Sequence, residues 1–246
     1  MKKPALLLIV LLSITRILAQ TTEVVKENQN ENIREKYNVL KSNKNIKEGK
    51  YVAYYYYNPD KVICEGFYKN NLKDSLWIDY SINSIVDSGH YDHGKKVGVW
   101  MGYKENGLPQ VQYDYTIKKV LYYRPNIVDK TKEYLVINGV SQESKILDRP
   151  PIYLDGSAKL LGTIARNIRY PAPAREQKKQ GKVIISFVVD QDGHVSNYKV
   201  KKSVGYGCDE EAMRVVQLET GDWLPGMLDG KPVSVEYEVP INFTIG

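Results

Sequence analysis

The sequence is short of most of what a catalytic or metal site needs. Its 246 residues include three His and two Cys. Cys64 and Cys208 lie far apart with no CxxC or Cys/His pairing, so metal-ligand spacing is missing and a disulfide framework is not indicated. His90 and His93 flank Tyr91-Asp92, but on a strand positions i and i+3 point to opposite faces. His194 has no Ser or Cys nucleophile placed beside it by spacing. No GxSxG, HExxH or phosphate-loop pattern occurs. The expectation is a chain with no catalytic residue, no metal, no cofactor and no small-molecule substrate, and not an enzyme.

A charge surplus is also missing. The formal charge of +6 includes Lys2, Lys3 and Arg16, all in the first twenty residues. Past Pro150, basic and acidic residues balance at 12 each. Nucleic-acid binding needs a strong basic surplus on one face, so no nucleic-acid partner is expected. Lys199, Lys201 and Lys202 form a small cluster that reads as a solvated strand face.

Long apolar runs are absent beyond the N-terminus. There, Lys2 and Lys3 precede the apolar run Ala5–Leu12, and Arg16 follows within a few positions. A secretory signal needs an apolar core of about 7–15 residues, and a membrane span roughly 20. Residues 1–20 therefore read as a signal peptide cleaved near Ala19, with an uncleaved N-terminal anchor as the alternative. Either way the expected place is the periplasmic cell envelope.

What the chain has in excess is tyrosine, 20 against 3 Phe. Of these, 14 fall between Tyr37 and Tyr123. An amphipathic ring suits half-exposed sheet surfaces. Within that region Lys50-Tyr51-Val52-Ala53-Tyr54, Leu76-Trp77-Ile78-Asp79-Tyr80 and Val99-Trp100-Met101-Gly102-Tyr103 repeat an aromatic, two residues, then Tyr. Gly66-Phe67-Tyr68 and Gly89-His90-Tyr91 each begin eleven residues before a Trp. Fixed spacing with turn signals at Asn58-Pro59-Asp60, Asn70-Asn71, His93-Gly94 and Asn106-Gly107 predicts stacked β-hairpins over residues 49–124. These units resemble MORN-type repeats in a bacterial variant, which are linked to protein or lipid contact and carry no chemistry of their own. Residues 21–48 are Asn-, Glu- and Lys-rich and read as a polar tether. Residues 125–150 read as a short hairpin and linker ending at Pro150-Pro151.

Past that boundary the periods change. Leu160, Leu161, Ile164 and Ile168 have helical spacing, and Pro near Ala172 opens a second helical segment. Val183, Ile185, Phe187 and Val189 alternate, as do Val233, Val235, Tyr237 and Val239, with Asp192-Gly193 and Asp229-Gly230 as turns. Asp209-Glu210-Glu211 places acid in the first turn of a further helix. The prediction over residues 151–246 is an α+β, two-layer sandwich with helices on a three-stranded antiparallel sheet, following the antiparallel β-hairpin repeat sheet.

Seven ordered blocks here carry a sharper resemblance. They are Tyr170-Pro171-Ala172-x-Ala174-Arg175, Gly181-x-Val183, Phe187-Val188-Val189-Asp190-x-Asp192-Gly193-x-Val195, Gly207-Cys208-Asp209-Glu210-Glu211-Ala212, Trp223-x-Pro225-Gly226, Gly230-Lys231-Pro232-Val233 and Pro240-Ile241-Asn242-Phe243. Together they resemble the TonB C-terminal domain family in its Bacteroidetes-like form. The resemblance implies a periplasmic module that grips outer-membrane transporters, whose short N-terminal segment adds as a strand beside the domain's sheet.

On this sequence the implied partner-binding residues are Arg169, Tyr170, Pro171, Ser234, Val235, Glu236, Tyr237 and Glu238. An exposed edge strand offers unpaired N–H and C=O groups to an extended peptide. Tyr170 and Trp223 also fit as core anchors, and Pro171, Pro225 and Pro232 as turn formers. A full energy transducer of this family carries a membrane helix with a His that engages a proton-motive-force motor complex. Residues 1–20 hold no His, and no Pro-rich spacer follows. Two readings therefore stand. One is a transport module, coupled to energy directly or through other proteins. The alternative is a non-energised envelope protein that binds other proteins or peptidoglycan.

Overall fold

The computed structural model describes residues 20–28, 32–81, 84–125, 131–218 and 221–244. The segment expected as a signal or anchor, residues 1–20, lies outside these residues apart from Gln20. The described chain is mostly antiparallel strand, with a few helices. By compactness it divides into two units. One runs up to Trp100 and takes in Tyr113–Lys119, and the other comprises Met101–Gln112 and the chain from Val120.

The nine strands β1 (Thr21–Asn28), β2 (Ile33–Leu40), β3 (Lys47–Tyr55), β4 (Asn58–Lys69), β5 (Leu72–Tyr80), β6 (Ile85–Asp92), β7 (Lys95–Tyr103), β8 (Pro109–Asp114) and β9 (Lys119–Tyr123) hydrogen-bond in sequence order. Such a meander needs tight turns. Asn70 and Asn71 supply one, with φ of 50° and 66°, as two-residue hairpin loops require. At the β3–β4 hairpin the turn falls on Tyr56-Tyr57, and Asn58-Pro59-Asp60 opens β4 instead. Asn32 fixes this shift by accepting from the N–H groups of both Tyr56 and Tyr57.

Thr21–Leu40, expected as a tether, forms β1 and β2. Its apolar residues are few, but a hairpin added to an existing sheet needs few. Val39 is 2% exposed. Ile33 and Tyr37 pack against the buried Tyr51 and Trp77 cluster, and charges pair across the strands, Glu23 with Lys36 at 3.0 Å and Glu27 with Arg34. The alternation that specifies these strands is of charge sign across the pair, which composition conceals.

The eleven-residue Gly-to-Trp spacing has a steric cause. The indole of Trp77 lies on the backbone at Gly66, and that of Trp100 on Gly89. A Cβ at either glycine would stand 2.3 Å or 2.2 Å from the ring. Each indole N–H then donates to the carbonyl of the next residue, Phe67 or His90, at 3.0 Å. Tyr68 and Tyr91 meet the rings edge-on at 5.2 Å and 5.0 Å. Lys47, Lys73 and Lys96, each four residues before Tyr51, Trp77 and Trp100, cap the row from above, with Lys73 4.1 Å from the Trp77 centroid.

Beyond the meander strands that it shares, the second unit holds β10 (Glu133–Asn138), β11 (Ser141–Ile146), β12 (Ile152–Tyr153), α1 (Ser157–Asn167), α2 (Ala172–Glu176), β13 (Gly181–Val189), β14 (Val195–Lys202), α3 (Cys208–Gln217), β15 (Trp223–Leu224), β16 (Gly226–Leu228) and β17 (Lys231–Phe243). The sheet runs β11-β10-β17-β13-β14, with β16 also on β17. The three expected strands are its β17-β13-β14 part. The sheet is wider than the expected three strands, because β10 and β11 continue it past β17, so β17, expected as an exposed edge, is a central strand covered in part by β10. One face buries Val183, Ile185, Phe187, Val189, Val239, Ile241 and Phe243 with Leu160 and Ile164 of α1 and Ala212, Val215 and Val216 of α3. Trp223 belongs to this core, 4.9 Å from Tyr237 and 5.3 Å from Phe187.

Candidate docking edge

β17 is the longest strand of its sheet and has β13 on one side over nine residue pairs, from Gly181↔Phe243 to Val189↔Val235. Pro240 lies opposite Ile184 in that ladder. Proline has no N–H, so in a regular ladder its backbone points away from the paired strand. Alternate residues share that direction. Pro232, Ser234, Glu236, Glu238, Pro240 and Asn242 therefore turn their backbone groups away from β13. Pro232 and Pro240 carry no donor, which leaves Ser234, Glu236 and Glu238 as a window of three N–H groups between two prolines.

The expected site residues Ser234–Glu238 fall on this window. β10 lies against part of it, pairing Leu135↔Glu236, Val136↔Val235 and Ile137↔Ser234. Among the described residues no strand lies beyond β10's pairs, beside Glu238. Side chains alternate as the sequence predicts. Val235 is fully buried, in a small cluster with Tyr134 and Leu147. Glu236 points to the other face, yet its side chain is only 8% exposed, because Lys201 of β14 donates to it at 2.6 Å. That hydrogen bond pushes the Lys201 ammonium up from its ordinary value.

Arg169, Tyr170 and Pro171 sit elsewhere. The Tyr170 ring meets Phe243 edge-on at 5.7 Å. Phe243 is five residues past Glu238, about 17 Å at the rise of a strand. The Tyr170 hydroxyl donates to the Lys179 carbonyl, so Tyr170 clamps the chain into β13. Pro171 caps α2 with extended backbone and packs under Gly207. The Arg169 N–H donates to Glu211 at 2.6 Å.

Glu211 is the electrostatic anchor of this corner. Arg214 grips it with two N–H groups, at 2.8 Å and 2.7 Å, and also donates to the Asn167 carbonyl. Burial works against the Glu211 carboxylate, but the Arg214 hydrogen bonds, the Arg169 N–H and both guanidinium charges outweigh it and hold Glu211 below the usual glutamate range. The group therefore stabilises the fold fully above its unfolded value and loses that contribution as pH falls through its lower folded value. Thermal unfolding of Glu211→Gln should lie below wild type at neutral pH, and the gap should close on the acid side of the ordinary glutamate range.

Among the described residues, two groups gather carboxylate and imidazole within 4.8 Å: Asp74, Asp92 and His93, and Asp190, Asp192 and His194. The first sits at strand ends beside a turn and the second on the β13–β14 turn, and both are half to fully exposed. Asp190 accepts from the backbone N–H groups of Asp192 and His194, which closes its hairpin loop. Cys208 is buried, which pushes its thiol up, and Cys64 is half-buried. No helix among the described residues is long and apolar enough to cross a membrane.

Residues 166–245 match the family described as the Gram-negative bacterial TonB protein C-terminal. This is a protein-interaction family without enzymatic activity, which goes with a role in transport and a periplasmic or envelope location. No curated protein matches the chain. Among solved structures, a mutant of S. aureus TarM in complex with Fondaparinux, alpha-GlcNAc-glycerol and UDP is similar at 17% identity, covering 50% of this chain and 25% of that one. Its TM-score of 0.24 carries no argument about fold or function.

Proposed function

We propose that this chain, whose residues 166–245 match the TonB protein C-terminal, binds the N-terminal segments of outer-membrane transporters by adding them as a strand to β17. The observation that carries this reading is the donor window on β17: Ser234, Glu236 and Glu238, bounded by Pro232 and Pro240. An extended peptide gains main-chain hydrogen bonds there, and the prolines limit its register. The organisation that goes with this reading is a signal or anchor over 1–20, a MORN-like repeat sheet, and a binding domain from Pro151. Energy coupling, directly or through other proteins, is a separate question from this binding, and residues 1–20 hold no His of the kind that engages a motor complex in the family. The intact mass of the envelope form distinguishes a cleaved signal from an anchor.

Glu238→Pro is the direct test. Glu238 lies opposite Ser186 of β13 but, like Pro240 opposite Ile184, turns its N–H away from that strand. The substitution therefore removes one outward donor and no β13 hydrogen bond, and the melting temperature should hold. Binding of synthetic transporter N-terminal peptides should weaken about tenfold, the worth of one ladder hydrogen bond and its alignment. Unchanged affinity would sink strand addition at this edge. The non-energised alternative, binding of other envelope proteins or peptidoglycan, draws support from the aromatic meander, a broad surface with no chemistry of its own.

A further inference from the structure

We infer that the β10–β11 hairpin is a built-in occupant of the docking edge, and that an incoming strand takes the place of β10. The inference rests on the strand-addition reading above. Of the three donors between Pro232 and Pro240, those of Ser234 and Glu236 face β10, which pairs there through Ile137 and Leu135. The chain thus fills with its own segment the register that a partner peptide needs.

The hold is short and one-sided. β10 meets β17 over three residue pairs, whereas β13 meets it over nine. The outer strand β11 is exposed at all six positions and brings no buried side chain of its own. A groove of about 250 Å³, lined by Val136, Leu228 and Val233 and by polar residues of β10, β11 and β17 such as Asn138, Glu143 and Ser234, opens beside the seam. Sheet edges held by few pairs open below the cost of global unfolding.

The occupant also describes its replacement. On β10, Tyr134 is 5% exposed and Val136 is half-buried, and both pack toward Val235, Leu147, Leu228 and Val233. The neighbouring Leu135 and Ile137 face the other side. The partner that fits is an extended segment with apolar residues at i and i+2 and no proline between them.

Two measurements on the full chain test this. Native-state hydrogen exchange should show the amides of β10 and β11 exchanging at least about 100-fold faster than those of Val183–Val189, in an opening step of their own. Exchange of β10 together with β13 would overturn the inference. The second measurement locks the hairpin with Ile137→Cys and Ser234→Cys, made with Cys64→Ser. This facing pair lies in a hydrogen-bonded register, with a Cα separation that suits a disulfide. Oxidation should weaken binding of transporter N-terminal peptides at least tenfold, and reduction of the same sample should restore it. Equal binding in both states would overturn the inference and leave strand addition standing at the uncovered part of the edge. Binding in neither state would instead overturn strand addition itself.

Discussion

Gly89→Ala should collapse the aromatic meander, with a loss of about 3 kcal/mol or more. The added Cβ would stand 2.2 Å from the Trp100 indole, against ring atoms fixed by a hydrogen bond to the His90 carbonyl and by the Tyr91 ring. The indole cannot retreat, since Trp100 is 2% exposed and closely packed. Overpacking of this kind moves backbone, and here the backbone is the neighbouring strand. Gly66→Ala repeats the clash on Trp77 and should cost a similar amount. Tryptophan fluorescence during thermal unfolding reads the effect directly, because two of the three Trp are the residues displaced. A melting temperature within a degree of wild type would show that the glycines are not there for the indoles.

The second large effect is expected at Trp223. Trp223→Ala should cost about 3–5 kcal/mol, the usual range for emptying a buried aromatic site. Trp223 is 7% exposed and touches Tyr153, Phe187 and Tyr237 at 5.2, 5.3 and 4.9 Å between ring centroids. Those three rings come from β12, β13 and β17, so one deletion loosens three elements at once. Chemical denaturation followed by circular dichroism measures the loss. Stability within about 1 kcal/mol of wild type would remove Trp223 from the core and return it to the surface as a contact residue.

Much of the C-terminal unit was legible because its signals are local. Val183, Ile185, Phe187 and Val189 alternate, Leu160 and Ile164 keep helical spacing, and each pattern specifies its element without reference to the rest. Asp229-Gly230 turns with both φ positive, 51° and 70°, as that dipeptide suggests. The Gly–Trp spacing was legible as a period, but its cause was not, since a ring lying on a backbone is visible only across two strands. β1 and β2 were hidden because cross-strand charge pairing has no signature within either strand. The partnership of β10 with β17 was hidden for a stronger reason. Leu135 and Glu236 are about a hundred positions apart, and nothing in either segment names the other. Which strand covers an edge is decided by where the intervening helices and strands deliver it. The displacement of Tyr170 from the Ser234–Glu238 window has the same origin: a motif shared in sequence does not say which end of a strand it meets.

The place of β17 in its sheet bears on the order in which the molecule can be completed. It is a central strand, yet it lies furthest along the described chain, after every strand that it joins. Until it emerges, β10 and β13 have no partner in common, and the helices α1 and α3 have only half a surface to cover. The meander is the opposite case, since each strand pairs with the one just made. The meander can therefore form rung by rung as the chain is delivered, while the sheet around β17 must wait for that strand and then close in one step.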